Sequence, residues 1–343
     1  MIPVFLVLWL AGWVLAHRLR QPVRAAAAGI LIEPSIIIPA RNEEHNLPKL
    51  LESLKRQSVK PREILVVDDA SSDRTAEIAA QLGATVIASQ ALPPGWRGKT
   101  WACHQGALAA RGEWLLFMDA DTWFEPGGLE RILSMGHPGA LSVVPYHRVE
   151  RMWEDLSLFF NVSMAAGTVP AGLAGQFLLV RRDHYQLAGG HEAVRGWVLE
   201  NFRFAAMLRD AGVPLRCLAG RGILSLRMYP GGLRDLLQGW TKGFAAGAGG
   251  TPRGALALVI AWMSGLMLAP TAGILSGDWW LWGIACGLCS LQVAWVGRRL
   301  GSFGWLLMWI YPIPLLFFFG LFGWSAIRSG RKVMWKGREI HAD

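Results

Sequence analysis

The chain has few of the residues that build disulfide frameworks and metal centres. It contains four cysteines and eight histidines in 343 residues, and no histidine falls into a metal-ligand spacing. Cys286 and Cys289 form a C-x-x-C pair inside an apolar run with no second pair, which favours packing over redox chemistry or metal binding. These shortages argue against a disulfide scaffold and against a histidine- or cysteine-based metal enzyme.

Nucleic-acid-binding motifs are also missing, although the net charge is +9. The arginines are dispersed rather than gathered in one stretch. We therefore expect no nucleic-acid partner, and we interpret the positive charge as attraction to anionic lipid headgroups of a bilayer.

Charge is absent from long stretches of a chain that is 52% apolar. Half of the 18 tryptophans follow residue 260, several at the ends of apolar runs, as expected at a membrane interface. The uncharged runs are 1–16, 255–277, 279–297 and 300–327.

The first run can be interpreted as a cleaved signal peptide or as a retained anchor. Basic residues follow it between positions 18 and 24 and none precedes it, so we expect a retained membrane anchor over 1–17. The later runs predict membrane helices over 255–327, with a basic tail over 328–343.

Between these runs, short apolar strands alternate with helix patterns. This alternation predicts an α/β catalytic domain over 33–230 with a doubly wound, mostly parallel sheet, whose ligands bind at the carboxyl ends of the strands. Ser71 or Ser72 is expected to cap the second helix. The predicted strands are 35–39, 63–67, 84–88 and 114–118, and the predicted helices are 44–57, 73–82 and 99–110.

Two further segments bear on the membrane arrangement. Residues 156–180 are uncharged, but a crossing there would separate Glu200 from Asp119, so we expect a buried or membrane-dipping helix followed by a strand. Residues 231–250 place leucines and Trp240 on one helical face and charges on the other. This pattern predicts an interfacial amphipathic helix that leads into the membrane.

Acidic pairs follow two of the predicted strands, as Asp68-Asp69 and as Asp119-Ala120-Asp121. In an extended chain the carboxylates of Asp119 and Asp121 point to the same side, and such hard oxygen ligands suit Mg²⁺ or Mn²⁺. A divalent metal neutralises the charge that develops on a diphosphate leaving group. We therefore predict a metal-dependent nucleotide-sugar site.

Four motifs together resemble the family 2 inverting glycosyltransferases, which have the GT-A fold, and the resemblance covers roughly residues 33–215. Residues 94–99, 227–230 and 239–244 are similar to the carotenoid-acid (4,4'-diaponeurosporenoate) glycosyltransferase branch. The four motifs are Pro39-Ala40-Arg41-Asn42-Glu43, 67–73, Asp119-Ala120-Asp121 and Gly189-Gly190-His191.

The resemblance implies roles for the donor-binding residues. Asp121 ligates the metal, Asp119 approaches the ribose or the metal, and Lys99 lies near the base or diphosphate. A lysine at a helix start opposes the helix dipole, which favours a functional role over a solvated charge. The residues expected to hold the uridine of a UDP-sugar are Pro39, Ala40, Arg41, Glu43 and Asp69.

Residues for the acceptor side follow from the same resemblance. His191 is expected to contact the acceptor. The residues expected to contact the acceptor or the membrane are Gln176, Arg227, Trp240 and Lys242.

The usual base of the family, the Asp of a Glu-Asp pair, is absent, because this chain has Glu200-Asn201. Glu200 acts as the base, or the chain is inactive, or the acceptor needs no base. An alcohol with a pKa of ~15.7 costs roughly 12 kcal/mol to ionise at pH 7 and needs a base. A carboxylic acid with a pKa of about 4.3 is already ionised. Asn201 therefore favours an acid acceptor and does not exclude a phosphate acceptor, which also needs no base.

The Q-x-x-R-W signature of processive synthases is absent, which favours transfer of one sugar. We expect glucose to move from a UDP-sugar to a lipid acceptor, a carotenoid carboxylic acid, by inverting displacement. A polyprenyl phosphate or a hopanoid-type lipid is the alternative acceptor, and an inactive membrane scaffold is the alternative of another class.

The charges predict the topology of a multi-pass protein of the cell membrane. Basic residues after the anchor place the catalytic domain on the cytoplasmic side. A full crossing by 303–327 would put the basic tail outside. Because Pro312 and Pro314 interrupt this segment, we expect it to lie shallow or to enter and return as two arms of about 12 residues, which leaves the tail cytoplasmic.

Overall fold

The computed structural model describes residues 1–19, 32–135, 139–197, 199–328, 332–335 and 338–341. The strands in chain order are β1 Ser35–Ala40, β2 Glu63–Asp68, β3 Thr85–Ala88, β4 Trp114–Met118, β5 Thr122–Phe124, β6 Ala140–Val144, β7 Tyr146–His147, β8 Phe177–Arg181, β9 Leu215–Ala219, β10 Leu224–Leu226, β11 Lys332–Trp335 and β12 Arg338–His341.

Helices alternate with these strands and then continue alone. They are α1 Ile2–Arg18, α2 Leu47–Lys55, α3 Thr75–Gln81, α4 Gly98–Ala109, α5 Gly128–Leu133, α6 Leu158–Thr168, α7 Arg182–Leu187, α8 Glu200–Asp210, α9 Leu233–Gly250, α10 Arg253–Ser276, α11 Trp279–Leu300, α12 Trp305–Trp309 and α13 Pro312–Arg328. Two 3₁₀ turns cover Glu154–Ser157 and His191–Val194.

Seven strands form one mixed sheet in the order β3-β2-β1-β4-β8-β6-β9. β1 pairs in parallel with β2 and β4, whereas β8 is antiparallel to both of its neighbours. Ile36 and Ile38 pack with Leu50 of α2 on one face, and Ile37 packs with Ala102 of α4 on the other. Helices therefore cover both faces, which confirms the predicted doubly wound, mostly parallel sheet.

The uncharged segment 156–180 forms a buried helix and a strand rather than a crossing. In α6, Phe159 lies 5.8 Å from the ring of Trp262, and Phe160 stacks on Trp240 at 4.7 Å. Both phenylalanines are almost completely buried. α6 therefore joins the catalytic domain to the C-terminal helices through an apolar interface.

α1, α10 and α11 pack together into a bundle. By length and composition, α10 and α11 are long and apolar enough to cross a membrane, whereas α1 and α13 are shorter apolar helices. Phe5 lies against Trp282, and Trp13 lies against Trp295. α1 therefore runs in the same direction as α11, and its first turn lies near the α10–α11 connection.

The segment after α11 leaves the catalytic domain and comes back to it. Ser302 N donates to His147 O at 2.9 Å, and Tyr311 Oη donates to the Leu266 carbonyl, midway along α10, at 2.9 Å. Ser325 Oγ then donates to Thr241 O in α9 at 2.9 Å. Both ends of the segment thus lie near the catalytic domain.

The two arms of this segment differ from the expected equal pair. α12 has 5 residues and α13 has 17. Pro312 begins α13 instead of interrupting a helix, because proline at the first helical position loses no intrahelical hydrogen bond. The break therefore lies at residues 310–311, and the expectation of two 12-residue arms was wrong.

Candidate active site

The residues expected to hold a nucleoside lie together at the carboxyl ends of β1 and β2. Asp69 N donates to Ala40 O at 2.8 Å, and Arg41 Nη1 donates to Asp69 O at 2.6 Å. Glu43 N donates to Thr75 Oγ1 at 2.8 Å. Pro39 and Ala40 are the last two residues of β1, so the whole predicted set lines one edge of the sheet.

Side chains tie these two loops to each other. Asn42 N donates to Ser71 Oγ at 3.0 Å, and the Asn42 side chain accepts from Ser72 N at 2.8 Å. Asn42 and Ala70 both have a φ of 53°, in the left-handed region. The hydrogen bonds across the loops hold these two residues in a conformation that non-glycine residues adopt rarely.

A lysine between two carboxylates forms the centre of the site. Lys99 Nζ lies 2.7 Å from Asp119 Oδ1 and 3.5 Å from Glu200 Oε1, and it donates to Gly175 O at 2.9 Å. Burial disfavours the charged amine, but the two carboxylates outweigh it and hold the pKa of Lys99 above its usual range. The lysine is therefore a permanent cation in this site.

Asp119 and Asp121 lie between β4 and β5, where the D-x-D pattern predicted them. Asp119 N donates to Gln176 O at 3.1 Å, which fixes the loop against the residue before β8. Burial raises the pKa of the Tyr229 phenol, and the nearby charge of Asp121 adds to the rise. Asp121 therefore lies close to a tyrosine from the segment after β10.

These residues suit a divalent metal only in combination with a substrate. Among the described residues no group of three or more His, Cys, Asp or Glu side chains is arranged to hold a metal. Two carboxylates leave most positions of an octahedral ion to other oxygens. A diphosphate supplies such oxygens, so the donor set fits a metal that binds together with a nucleotide-sugar.

Asn201 is the residue that the resemblance places at the position of the family's base. Its Nδ2 donates to Leu173 O at 2.7 Å. The amide therefore serves as a hydrogen-bond donor to the backbone before β8, and it has no charge with which to accept a proton.

His191 is buried beside this cluster and is neutral. Its ring packs against Phe117 and Phe204, and burial, aided by the charge of Lys99, lowers the pKa of His191 to about 3. His191 N donates to Tyr185 Oη at 3.0 Å, and Tyr185 Oη lies 3.0 Å from Nδ1. Tyr185 Oη therefore contacts both the backbone amide and the ring Nδ1 of His191 and holds the imidazole in place.

The low pKa argues against His191 as a general base. A general base needs a pKa near the working pH, and the pKa of His191 lies far below it. A cavity beside the ring is lined by apolar side chains and by Lys99, Asp119, Glu200 and Asn201. The imidazole therefore offers a neutral N–H donor next to these groups.

The four residues expected on the acceptor side separate in the structure. Gln176 adjoins Asp119, and its side-chain Oε1 is buried without a hydrogen-bond partner among the described residues. Trp240 Nε1 donates to Ser157 Oγ at 3.0 Å, at the junction with the C-terminal helices. Lys242 lies in α9, and its side chain is outside the described part of the chain.

Arg227 forms ion pairs with two acidic residues of the catalytic domain. Its guanidinium lies 2.8 Å from the buried Glu154 carboxylate and 2.7 Å from Glu150. This geometry gives Arg227 a structural role and leaves the expected acceptor contact without support.

The sequence did not single out Tyr185, Leu173 or Phe204. Tyr185 lies six residues before His191, and the only signal for it was its closeness to the Gly189-Gly190 turn. The contact of the Tyr185 phenol with the buried His191 ring is recognised only from the folded structure.

Comparison with known proteins agrees with this arrangement. Residues 35–158 match the family model described as glycosyl transferase family 2. The sheet, the paired loops and the strand-end carboxylates define a glycosyltransferase of the GT-A class, and the chain belongs to glycosyltransferase family 2.

Relatives with assigned names narrow the likeness. The chain is 32% identical over 328 residues to the 4,4'-diaponeurosporenoate glycosyltransferase of Staphylococcus aureus strain MRSA252, covering 89% of this chain and 87% of the relative. It is 31% identical to the protein of that name in strain USA300, with the same coverage.

A solved structure shows the same fold at low identity. A mannosyltransferase from Pyrobaculum calidifontis, in complex with GDP-Man and Mn²⁺, superposes with a TM-score of 0.52 at 18% identity. The match covers 92% of this chain and 95% of that chain. The likeness therefore includes the C-terminal helices as well as the catalytic domain.

Proposed function

We propose that this chain transfers one glucose from a UDP-sugar to the carboxylate of a carotenoid acid, and releases UDP. The observation that carries the proposal is the combination of a complete donor edge with a site that lacks an effective base. The names of the Staphylococcus aureus relatives support an acid acceptor.

The residues divide the work between donor and acceptor. Arg41 and Asp69 close the nucleoside edge, and Asp119 with Asp121 would hold Mg²⁺ or Mn²⁺ against the diphosphate. When bound, the metal neutralises charge on the leaving diphosphate. Lys99 adds a second positive charge at the same place.

The acceptor chemistry follows from the missing base. Asn201 cannot take a proton, burial holds the pKa of His191 far below its usual value, and Glu200 lies 3.5 Å from a lysine. An ionised carboxylate needs no base: its oxygen forms a bond to C1 while the C1–oxygen bond to the diphosphate breaks. The electron pair leaves with UDP, and the product is a glycosyl ester of inverted configuration.

The product and one variant test this proposal. We expect the purified protein, supplied with a UDP-sugar and a carotenoid acid, to form an ester that mild alkali cleaves, as followed by mass spectrometry. Glu200→Gln should cost less than about tenfold in rate, because no proton transfer depends on it.

Other products would contradict the acid acceptor. An alkali-stable glycoside would mean an alcohol, and a sugar phosphate would mean a polyprenyl phosphate. A loss of about a thousandfold in Glu200→Gln would identify Glu200 as the base. Absence of UDP-sugar turnover with any acceptor would favour the inactive scaffold.

A further inference from the structure

Three chain segments meet around Tyr146, at the junction of the catalytic domain and the membrane bundle. His147 forms a bridge with Gly301, directly after α11. The turn after β9 approaches from another side, since Gly220 N donates to Val144 O at 2.7 Å. The junction thus gathers residues that are far apart in sequence.

Each of these segments carries an arginine. Arg148 follows β7, and its guanidinium lies 5.2 Å from the Tyr146 ring centre. Arg221 belongs to the turn between β9 and β10, and Arg298 to the last turn of α11. Burial raises the pKa of the Tyr146 phenol, and the charges of these three arginines oppose that rise, so all three lie within electrostatic range of one hydroxyl.

The arginines are only partly neutralised. Arg148 forms an ion pair with Glu125 at 2.7 Å. Arg221 and Arg298 are exposed, and within the part of the chain that the structure describes neither has a hydrogen bond or an ion pair. The Tyr146 hydroxyl likewise has no partner among the described residues. Two free guanidiniums and a free hydroxyl donor therefore share this place.

The position along α11 indicates what binds there. The Arg299 guanidinium lies 3.5 Å from the ring centre of Trp295, and tryptophan and arginine together are typical of a membrane interface. Before this last turn, α11 is apolar over most of its length. A ligand at Tyr146 is thus at the level of lipid headgroups.

We propose that Tyr146, Arg148, Arg221 and Arg298 form a binding site for the phosphate of an anionic phospholipid. Guanidinium groups recognise phosphate oxygens with paired hydrogen bonds, and the hydroxyl adds one more donor. A lipid bound at this point contacts the residues at β7, the turn between β9 and β10, and the end of α11. It therefore holds the catalytic domain at a fixed height on the membrane. This site is independent of the acceptor chemistry.

Native mass spectrometry of the full chain in detergent tests the site. The delipidated protein is mixed with equal amounts of phosphatidylglycerol and phosphatidylcholine, and retained lipid is counted. We expect wild-type protein to keep one phosphatidylglycerol in preference to phosphatidylcholine. The double variant Arg221→Gln/Arg298→Gln should lose that preference by about tenfold or more.

A matched double variant tests whether lipid retention depends on this site or on the overall charge of the protein. Arg62→Gln/Arg111→Gln removes the same charge at the amino-terminal edge of the main sheet, beside β2 and β4. It should retain phosphatidylglycerol as wild type does. Equal loss in both double variants, or no preference in wild type, would overturn the proposal.

Inorganic phosphate distinguishes the two sources of the anion. Phosphate at 10 mM, roughly a cellular concentration, should not displace the lipid, because the acyl chains contribute to binding. If phosphate alone raises the melting temperature of the wild type and phosphatidylglycerol is not preferred, the site binds a free anion and the lipid proposal is wrong.

Discussion

Lys99 sets the charge balance of the donor site. It lies between the carboxylates of Asp119 and Glu200, so it offsets one of their two negative charges before any ligand binds. Without the lysine, Asp119 and Glu200 would face each other's charge directly. Once a metal is bound, Asp119 has a second cation as partner. The Lys99 ammonium can then contact a diphosphate as well.

Asp121 is the residue whose charge we expect the reaction to require. Asp121→Asn keeps the size of the side chain but weakens its hold on a divalent metal, so sugar transfer should fall by about a hundredfold or more. The melting temperature in detergent should change little. Transfer is measured by UDP release.

The control for this variant is Asp210→Asn, at the exposed end of α8, which should retain full transfer. Full activity of Asp121→Asn, or of wild type in excess EDTA, would rule out a metal-dependent donor site.

The residue-level expectations succeeded where strand ends decided the outcome. The carboxyl ends of parallel strands meet at one edge, so Asp69 and Asp119 were placed from the sequence. The sequence placed His191 near the site but did not predict its lowered pKa, because that pKa follows from burial in the folded chain. The ion pair of Arg227 with Glu154 was not expected, because Glu154 lies 73 residues away.

At the scale of elements, local end signals were the weakest guide. Ser71 or Ser72 was expected to cap the second helix, but α3 begins later, at Thr75. Ser71 instead accepts from Asn42 N in the neighbouring loop, and Asp73 accepts from Thr75 N. A serine pattern shows that a cap is available, and tertiary contacts decide how it is used.

Close packing of α1 against α10 gives a prediction for this element. A Cβ on Gly12 would lie 2.2 Å from the Trp262 ring and 2.7 Å from Gln292 Oε1. Gly12→Ala should therefore separate α1 from the bundle and lower the melting temperature in detergent by several degrees, despite the higher helix propensity of alanine.

Gly287→Ala is the matched control in α11. A Cβ there meets nothing within 4 Å, so the substitution should leave the melting temperature unchanged or raise it. Equal melting temperatures for both variants would show that α1 is not held against α10.

At the scale of the molecule, the sequence predicted the two-part architecture but not how the parts join. Alternating strands and helices were enough for the sheet, and uncharged runs were enough for the C-terminal helices. The junction depends on contacts such as Gly304 N to Asp155 Oδ1 at 2.7 Å, between residues 149 apart in sequence. No local pattern reports a contact of that separation.

The path of α12 and α13 leads to a topology that we propose for the whole chain. Ser302 bonds to His147 of the catalytic domain and Ser325 bonds to Thr241 of the interfacial helix α9, so the segment between them enters and returns. The basic tail then lies on the cytoplasmic side. A cysteine at His341 should react with an impermeant maleimide only after cells are opened.

Ser276→Cys provides the opposite control, because it lies at the connection between α10 and α11 and should react in intact cells. Labelling at position 341 in intact cells would show a full crossing by the last apolar segment.

The hydrogen bonds inside the bundle join helices that are synthesised at different times. Gln292 accepts from Trp262 Nε1 and donates to Trp9 O, so a polar side chain in α11 is satisfied by two earlier helices. The short α12 has its turn secured by Ser290 and by the Leu266 carbonyl. Because synthesis runs from the amino terminus, α1 is made before its partner Gln292, whereas α12 is made after both of the helices that it contacts.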